Sequence, residues 1–239
     1  MSQYFIASHV HLCRTEDGVV ALDLKEGRYF GFEDSQLPSL QELVEGWPPR
    51  KIQTEHKPEA FHKNATDVAN ELLNRRLLTQ DRACTGRRRG AILETPSTSI
   101  DDSKAQNRPR ITPVHVAKFF WAYLRTATRL KTCSLESTVS RVVRRKQRIK
   151  ANGRDEAGTI RELTQIFTFL RPFVYTAQDA CLLDSLTLVE FLALYGLYPE
   201  WVFGISTRPF SAHSWVQVNH LVLNDTADHT RAFVPILVV

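Results

Sequence analysis

The chain lacks paired cysteines, long apolar runs and the glycine-rich phosphate loop of many ATP-binding proteins. Its 4 cysteines are scattered, with no CxxC pair, so neither a disulfide framework nor a metal site is indicated. Reduced thiols fit a reducing compartment. The first residues do not combine a cationic start with an apolar run, and no apolar run reaches membrane-spanning length. We therefore expect a cytoplasmic protein with no membrane partner, and we assign no ATP site to this chain.

The composition is that of an ordinary soluble globular protein. Of the 239 residues, 43% are hydrophobic and 24% are charged, and this length suits one large or two small domains with a real core. The formal net charge of +5 and the sequence pI of about 9.1 are only mildly basic. Because nucleic-acid binding needs a focused basic patch, no nucleic-acid partner is expected.

A central buried helix is predicted from residue 181 onward. Apolar side chains fall on nearly every side of the run from Leu182 to Tyr195, which is typical of a helix that is buried all round. Gly196 suits a stop just past its end. Cys181 then lies in the first turn, where unpaired amide N–H groups and the helix dipole favour a thiolate. We interpret Cys181 as a nucleophile rather than as a small core residue.

The next segment predicts the partners that a nucleophilic cysteine needs. Residues 209–225 form two alternating apolar strands around a polar turn. A three-residue loop with His220 in the left-handed region would place His213 opposite Asp225 on one face. A two-residue loop would put them on opposite faces and break the pair. In the first register Cys181, His213 and Asp225 are nucleophile, base and orienting carboxylate.

Some roles near this set stay open. Asp228 competes with Asp225 for the third place. Gln178 lies where a side-chain oxyanion donor would sit, beside the backbone N–H of Cys181. Trp215 shares the face of His213, where it would either shield the His–Asp pair or simply pack in the core.

Residues 1–80 predict a winged-helix-like α+β module. Turn signals separate three strands at 9–13, 19–23 and 28–32. A helix carrying Leu37, Leu40, Leu43 and Val44 follows, then a second helix from about Ala65 and a short strand at 77–79. Taken alone, such a module could bind DNA or simply add stability.

A flexible linker is predicted at 81–113, where the periodicity disappears around Arg87-Arg88-Arg89-Gly90. The second domain then spans 114–239. One of its helices ends in a basic run over 141–150. Cations are favoured at a helix C-terminus by the dipole, and the alternative is a docking surface for an acidic precursor or partner.

Four stretches of the second domain form a specific pattern: the Cys181 segment, the strand Phe203-Gly204-Ile205, the run Pro-Phe-x-Ala-His-x-Trp-Val at 209–216 and Leu-Asn-Asp at 223–225. With these stretches the domain resembles the B protein of lasso-peptide biosynthesis, a leader peptidase with a transglutaminase-like (papain-like) fold. The resemblance implies Cys181 as nucleophile, His213 as base and Asp225 as orienter. Two positions depart from the family: Asp184 stands where Arg is frequent, and His220 stands where the turn often has Gly.

The run from Val19 to Gly31 resembles the precursor-recognition element of peptide-maturation systems. In that family a leader peptide adds as a strand to a sheet edge and packs on a neighbouring helix. The resemblance places the leader against the strand edge and the second helix of the first domain. The expected contact residues are Arg28, Tyr29, Phe30, Gly31, Phe32, Val68 and Leu72.

The fold class expected is therefore α+β, with a winged-helix-like module joined to a cysteine peptidase domain. The resemblance implies removal of the leader from a ribosomally made precursor peptide, with an asparagine-synthetase-like lasso cyclase as partner. It implies no cofactor in this chain, and any ATP dependence would act through a partner. The alternatives are a transglutaminase-like acyltransferase, in which an amine replaces water, and a non-catalytic peptide- or DNA-binding regulator.

Overall fold

The computed structural model describes residues 4–33, 40–41, 43–48, 65–82, 93–100, 109–149, 156–175 and 180–239. The chain is a mixed α/β protein of two compact units, residues 1–90 and 91–239. Among the described helices, none is long and apolar enough to cross a membrane.

The first unit contains two small sheets and a helix. An antiparallel meander is formed by β2 (Val10–Arg14), β3 (Gly18–Asp23) and β4 (Arg28–Glu33). In the other sheet, β1 (Tyr4–Ile6) pairs in parallel with β5 (Val44–Glu45) and antiparallel with β6 (Leu78–Thr79). Helix α1 spans Ala65–Asn74. All six residues of β3 are buried, so the middle strand of the meander is covered on both faces.

The predicted meander is confirmed, but the helix predicted over Leu37 to Val44 is wrong at its end. Val44 lies in β5, because its backbone pairs with Tyr4 of β1 rather than continuing a helix. Residues 34–39 of that predicted helix lie outside the described residues. Strand β1 was not predicted, since three residues are too few to show a period. The winged-helix-like character of this unit stays a prediction.

The second unit packs a group of helices beside a five-stranded sheet. Its helices are α2 (Pro113–Thr132), α3 (Leu135–Ile149), α4 (Glu156–Leu170), α5 (Cys181–Ala193) and α6 (Ala227–Arg231). The strands are β7 (Thr98–Ser99), β8 (Glu200–Thr207), β9 (Phe210–Val218), β10 (Leu221–Val222) and β11 (Val234–Val238). They lie in the order β11-β8-β9-β10-β7, with only β7 parallel to its neighbour.

Helix α5 is the centre of this unit, as its apolar pattern predicted. Every residue from Asp184 to Leu192 is buried, and Gly196 takes a positive φ of 80° after the helix ends. The helix also buries a carboxylate: Glu190 accepts a hydrogen bond from Arg145 at 3.0 Å and lies 3.7 Å from the Nε atom of Arg125. These guanidinium groups compensate a charge that would otherwise be costly to bury.

The linker predicted at 81–113 is corrected for residues 93–100. This segment adds β7 to the sheet, with Thr98 paired with Leu221 and Ser99 with Val222. Ile100 also donates its N–H to Val222 at 3.1 Å. Only two residues of the segment pair, which is too few to show the alternation of apolar and polar residues typical of a strand. The sequence pattern therefore predicted a linker here.

Candidate active site

Cys181 is the first residue of α5, as predicted, and its side chain is half-buried. Ala180 precedes the helix and makes no side-chain cap, so its side chain does not satisfy the first N–H groups of the helix. The pKa of Cys181 is lowered chiefly by a hydrogen bond with His213. Burial opposes this shift, and hydrogen bonds with Ser214 support it. Sulfur at this position is thereby stabilised as a thiolate.

His213 lies on β9, opposite Gly204 of β8, and its ring is largely buried. Burial disfavours the charged ring, but hydrogen bonds with Asp225 and Cys181 outweigh it and raise the pKa of His213 to about 9. The shifts of Cys181 and His213 therefore act in the same direction. Both shifts favour the thiolate–imidazolium pair over the neutral thiol and neutral imidazole.

Asp225 binds the far side of the same ring. Its Oδ2 atom lies 2.5 Å from Nε2 of His213, and its Oδ1 accepts the backbone N–H of Thr226 at 2.7 Å. Burial raises the pKa of this carboxyl, but the hydrogen bonds from His213, His229 and Thr226 outweigh burial and lower it overall. Since Nε2 is taken by Asp225, Nδ1 is the ring nitrogen left for the thiol.

The predicted hairpin register is wrong, and the His213–Asp225 contact forms by another route. Val218 pairs with Leu221, so the loop has two residues, and Asn219 rather than His220 takes the positive φ of 51°. If this ladder continued, position 226 would face His213. Pairing instead ends at Val222, and the chain turns into α6, which Thr226 caps. Asp225 lies in that turn and reaches His213 from outside the ladder.

Asn224 holds this turn in place. Its Oδ1 accepts the backbone N–H of Val216 at 2.8 Å. This side-chain oxygen takes the place of the backbone carbonyl that would accept the same N–H if the ladder continued. The Nδ2 atom of Asn224 donates to Oδ2 of Asp184 at 2.8 Å. Asp184 is 1% exposed and lies one turn after Cys181 on α5, so Asn224 connects the cysteine helix to the segment that carries Asp225.

The remaining contacts of Asp184 explain how a carboxylate is tolerated here. Tyr175 donates its hydroxyl at 3.0 Å, and Arg171 approaches to 3.3 Å. Burial raises the pKa of Asp184, and the bonds from Asn224, Arg171 and Tyr175 oppose that shift. Asp184 is therefore held by Arg171, on the segment after α4, together with Tyr175 and Asn224.

Three rings surround His213. Trp215 stacks at 6.0 Å with an interplanar angle of 16°, Phe233 lies at 5.1 Å, and His229 meets the ring edge-on at 4.8 Å. Gly204 makes room for this group, because a Cβ there would lie 2.7 Å from the Trp215 ring. The prediction that Trp215 shares the His213 face is confirmed.

His229 was missed in the sequence. Its Nδ1 lies 2.8 Å from the same Oδ2 of Asp225 that His213 contacts. The sequence signal that could have found it is the spacing of Asp225, Thr226 and His229. A capping Thr226 predicts a helix start, and residues four positions apart, such as Asp225 and His229, then lie side by side. Asp228, the rival carboxylate, points elsewhere: it is exposed and pairs with Arg231.

One group of side chains in the described part of the chain could hold a metal ion. The ligand atoms of His213, Asp225 and His229 lie within 4.8 Å of one another. Two imidazoles and one carboxylate suit zinc or a similar divalent cation. The sequence predicts no metal site, so this cluster is a candidate that the sequence pattern did not indicate.

The predicted oxyanion donor Gln178 lies outside the described residues. The predicted leader-binding residues lie in the first unit. Strand β4 pairs with β3 on one side, and beside it is a cavity of about 370 Å³. The cavity is lined by Tyr29, Phe30, Gly31, Phe32, Val68, Glu71, Leu72, Arg75 and Leu77. All the predicted contact residues except Arg28 are in this set.

A sequence model described as the transglutaminase-like superfamily matches residues 120–238. Neither the curated proteins nor the solved structures contain a match to this chain.

Proposed function

Because residues 120–238 are a transglutaminase-like superfamily domain, we propose that this protein is a cysteine peptidase that removes the leader from a ribosomally made precursor peptide during lasso-peptide maturation. The observation that supports the proposal is the 2.5 Å contact between His213 and Asp225, together with Cys181 at the start of a buried helix, where a hydrogen bond with His213 lowers the pKa of the thiol. A thiol, an imidazole and a carboxylate in this order are what acyl transfer through a thioester requires.

The first half of the reaction cleaves the peptide bond. The Cys181 thiolate attacks the carbonyl carbon at the leader–core junction, and the carbonyl oxygen becomes an oxyanion. Imidazolium His213 then gives its proton to the departing amine nitrogen, so the C–N bond breaks and the core leaves with a free α-amine. The leader stays on sulfur as a thioester.

The second half releases the leader. Neutral His213 takes a proton from water as the oxygen attacks the thioester carbonyl, and the C–S bond breaks to give a leader carboxylate and a thiolate. Asp225 keeps the ring oriented through Nε2 and stabilises its charged form in both halves. The backbone N–H of Cys181 and the side chain of Gln178 are the proposed donors to the oxyanion.

The first unit would hold the leader. An extended peptide would add to the β4 edge through main-chain hydrogen bonds, with its side chains in the cavity between β4 and α1. Val68 and Leu72 offer apolar contact, while Glu71 and Arg75 form an ion pair of 2.8 Å at the rim. The free α-amine of the core would pass to a lasso cyclase related to asparagine synthetases, and any ATP would be used by that partner.

A transglutaminase-like acyltransferase is the second candidate, since the superfamily match supports both chemistries equally. The distinction is whether water or an amine attacks the thioester. Mass spectrometry of the leader product decides between them: a free acid supports hydrolysis, and an amide supports transfer.

The peptidase is tested with the purified chain, the precursor peptide and mass spectrometry. Cys181→Ala is expected to abolish cleavage, whereas Cys133→Ala, which changes an exposed thiol elsewhere in the same unit, should cleave normally. Unchanged cleavage by Cys181→Ala would refute the nucleophile. Binding of the labelled leader by Cys181→Ala, measured separately, tests whether the first unit recognises the leader, and a non-catalytic regulator would show binding without any cleavage.

A further inference from the structure

A basic groove lies between α2 and α3, outside the site described above. It consists of two adjoining cavities of about 470 and 780 Å³ that share Arg129, Cys133 and Arg141. Five guanidinium groups line it, those of Arg125, Arg129, Arg141, Arg144 and Arg145. Glu136 is the one carboxylate among the described lining residues. The groove therefore has a strong excess of positive charge.

Within the described part of the chain, the arginines of the groove are not fully matched by carboxylates or by hydrogen-bond acceptors. Glu190 receives both Arg125 and Arg145, so two cations share one carboxylate. The buried Nε of Arg129 and the buried Nη2 of Arg145 have no hydrogen-bond partner among the described residues. Buried donors without acceptors are costly. Both side chains are also partly exposed, so their accessible N–H groups are free to bind an anion that lies in the groove.

One end of the groove is apolar. Trp121 is 60% exposed and Leu124 is 58% exposed, and both line the smaller cavity beside Arg125. An exposed tryptophan next to arginines is a combination enriched at the energetic centres of protein interfaces. A ligand that matches the whole groove needs acidic groups along its length and an apolar side chain at one end.

The groove is also separated from Cys181. It meets α5 at Glu190, nine residues after Cys181 along the same helix, which corresponds to roughly 13 Å of helix rise. A ligand in the groove would therefore leave the thiol open during catalysis. This position favours a docked partner over the peptide bond that is cleaved.

The geometry points to a docking site, between α2 and α3, for an acidic surface segment of a separate protein that also presents an apolar side chain. Each carboxylate of the segment accepts two parallel hydrogen bonds from one arginine guanidinium group. The apolar residue of the segment packs on Trp121 and Leu124. The site is independent of the proposed peptidase activity, so it stands or falls without any cleavage assay.

The test uses the full chain and a short fluorescein-labelled peptide that is rich in Glu and carries one Leu and one Trp. The control peptide has Lys at every Glu position. Fluorescence anisotropy is expected to show binding of the acidic peptide that weakens as salt rises, and no binding of the basic one. Equal binding of both peptides, or of neither, would overturn the proposal.

Variants locate the binding. Arg141→Glu and Arg144→Glu change exposed groove residues and should each weaken binding roughly tenfold. Arg110→Glu changes an exposed arginine that precedes α2 and carries the same charge difference, so it should leave binding nearly unchanged. Equal effects of all three would mean a response to net charge alone and would overturn the site.

The apolar end separates a protein segment from a general polyanion. Trp121→Ala should weaken the acidic peptide several-fold, whereas Phe169→Ala, which changes an exposed aromatic outside the groove lining, should not. Competition is then measured with poly-Glu and with a single-stranded oligonucleotide. If either competes as well as the amphipathic peptide, and Trp121→Ala has no effect, the groove binds polyanions and the protein-docking proposal is wrong.

Discussion

Asp225 contacts His213 through its Oδ2 atom at 2.5 Å, although Asp225 is not part of the strand ladder that carries His213. Pairing ends at Val222, and the intervening turn is held by Asn224. The carboxylate is therefore positioned by a side-chain clamp and by the start of α6. Asn224 thus holds Asp225 in place, whereas His213 is the residue that acts on the sulfur.

The state of the thiol can be measured by alkylation. In a Cys84→Ser/Cys133→Ser background, the rate with iodoacetamide should reach its plateau at a pH below the usual range for thiols, because His213 lowers the pKa of Cys181. Cys13 should not react, since burial raises its pKa to about 12. His213→Ala should move the profile upward, toward the usual range for thiols, because the main cause of the lowered pKa is lost. An unchanged profile in His213→Ala would contradict the thiolate–imidazolium pair.

The alkaline limit of cleavage should depend on Asp225. A protonated His213 supplies the proton to the leaving amine, and its pKa is raised to about 9, so kcat/KM should fall as pH passes that value. In Asp225→Asn the carboxylate that raises this pKa is lost, so the alkaline limb should move to lower pH and the maximum should fall at least tenfold. Asp228→Asn is the matched control, because Asp228 is exposed and pairs only with Arg231 among the residues described. A limb that stays in place in Asp225→Asn would assign it to another group.

Much of this site follows from local pattern. The all-round apolar helix, the thiol at its first turn and the strand carrying His213 depend on neighbouring residues in the chain, so sequence periodicity is enough to predict them. The hairpin register is different. The two-residue loop and the three-residue loop differ in which residue takes the positive φ. Both Asn219 and His220 tolerate that conformation, so the sequence does not decide between the two loops.

Contacts between distant segments could not be predicted in the same way. Asp184 reads as a polar interruption in a buried helix, and its role becomes visible only when Asn224, Arg171 and Tyr175 converge on it. Likewise, β7 pairs through only two residues, and its partner lies more than a hundred positions later. These features depend on the folded packing and leave no period in the sequence.

The clamp predicts a specific effect of Asn224→Leu. This change removes the acceptor for Val216 and the donor to buried Asp184, so the free energy of unfolding should fall by about 1–3 kcal/mol. It should also lower kcat more than it raises KM and shift the alkylation profile of Cys181, because Asp225 is no longer held against His213. Asn219→Gly keeps the positive φ of the hairpin loop and touches neither bond, so it should be nearly neutral in both measurements. A loss of stability with an unaltered alkylation profile would limit Asn224 to a structural role.

Gly204 predicts an effect on the rings around His213. The Cβ of Gly204→Ala would lie 2.7 Å from the Trp215 ring and 2.9 Å from the Cβ of Phe233, both of which pack against His213. Overpacking of this kind costs about 1–3 kcal/mol, so thermal unfolding should occur at a lower temperature and cleavage should slow. Gly158→Ala is the control: the added methyl meets open space on α4, and stability should stay the same or rise slightly. Equal stability of both variants would show that the rings shift without cost.

The cluster of His213, Asp225 and His229 predicts inhibition by zinc. A zinc ion bound there would take the Nε2 atom of His213 and the Oδ2 atom of Asp225, and it would thus replace the hydrogen bond that orients the base. Low concentrations of Zn²⁺ should therefore stop cleavage, EDTA should restore it, and Mg²⁺ should have no effect because it prefers oxygen ligands.

His229 is the residue that identifies this mode of inhibition. Each variant is compared with its own metal-free rate, and His229→Gln should need at least tenfold more Zn²⁺ for the same fractional inhibition, since one of three ligands is lost. His220→Gln, in the hairpin loop, should respond as the unchanged protein does. Zinc can also bind a thiolate and an imidazole directly, as Cys181 and His213 would allow. In that case His229→Gln would remain fully sensitive, and the inhibitory ion would be assigned to the sulfur side of His213 rather than to the carboxylate side.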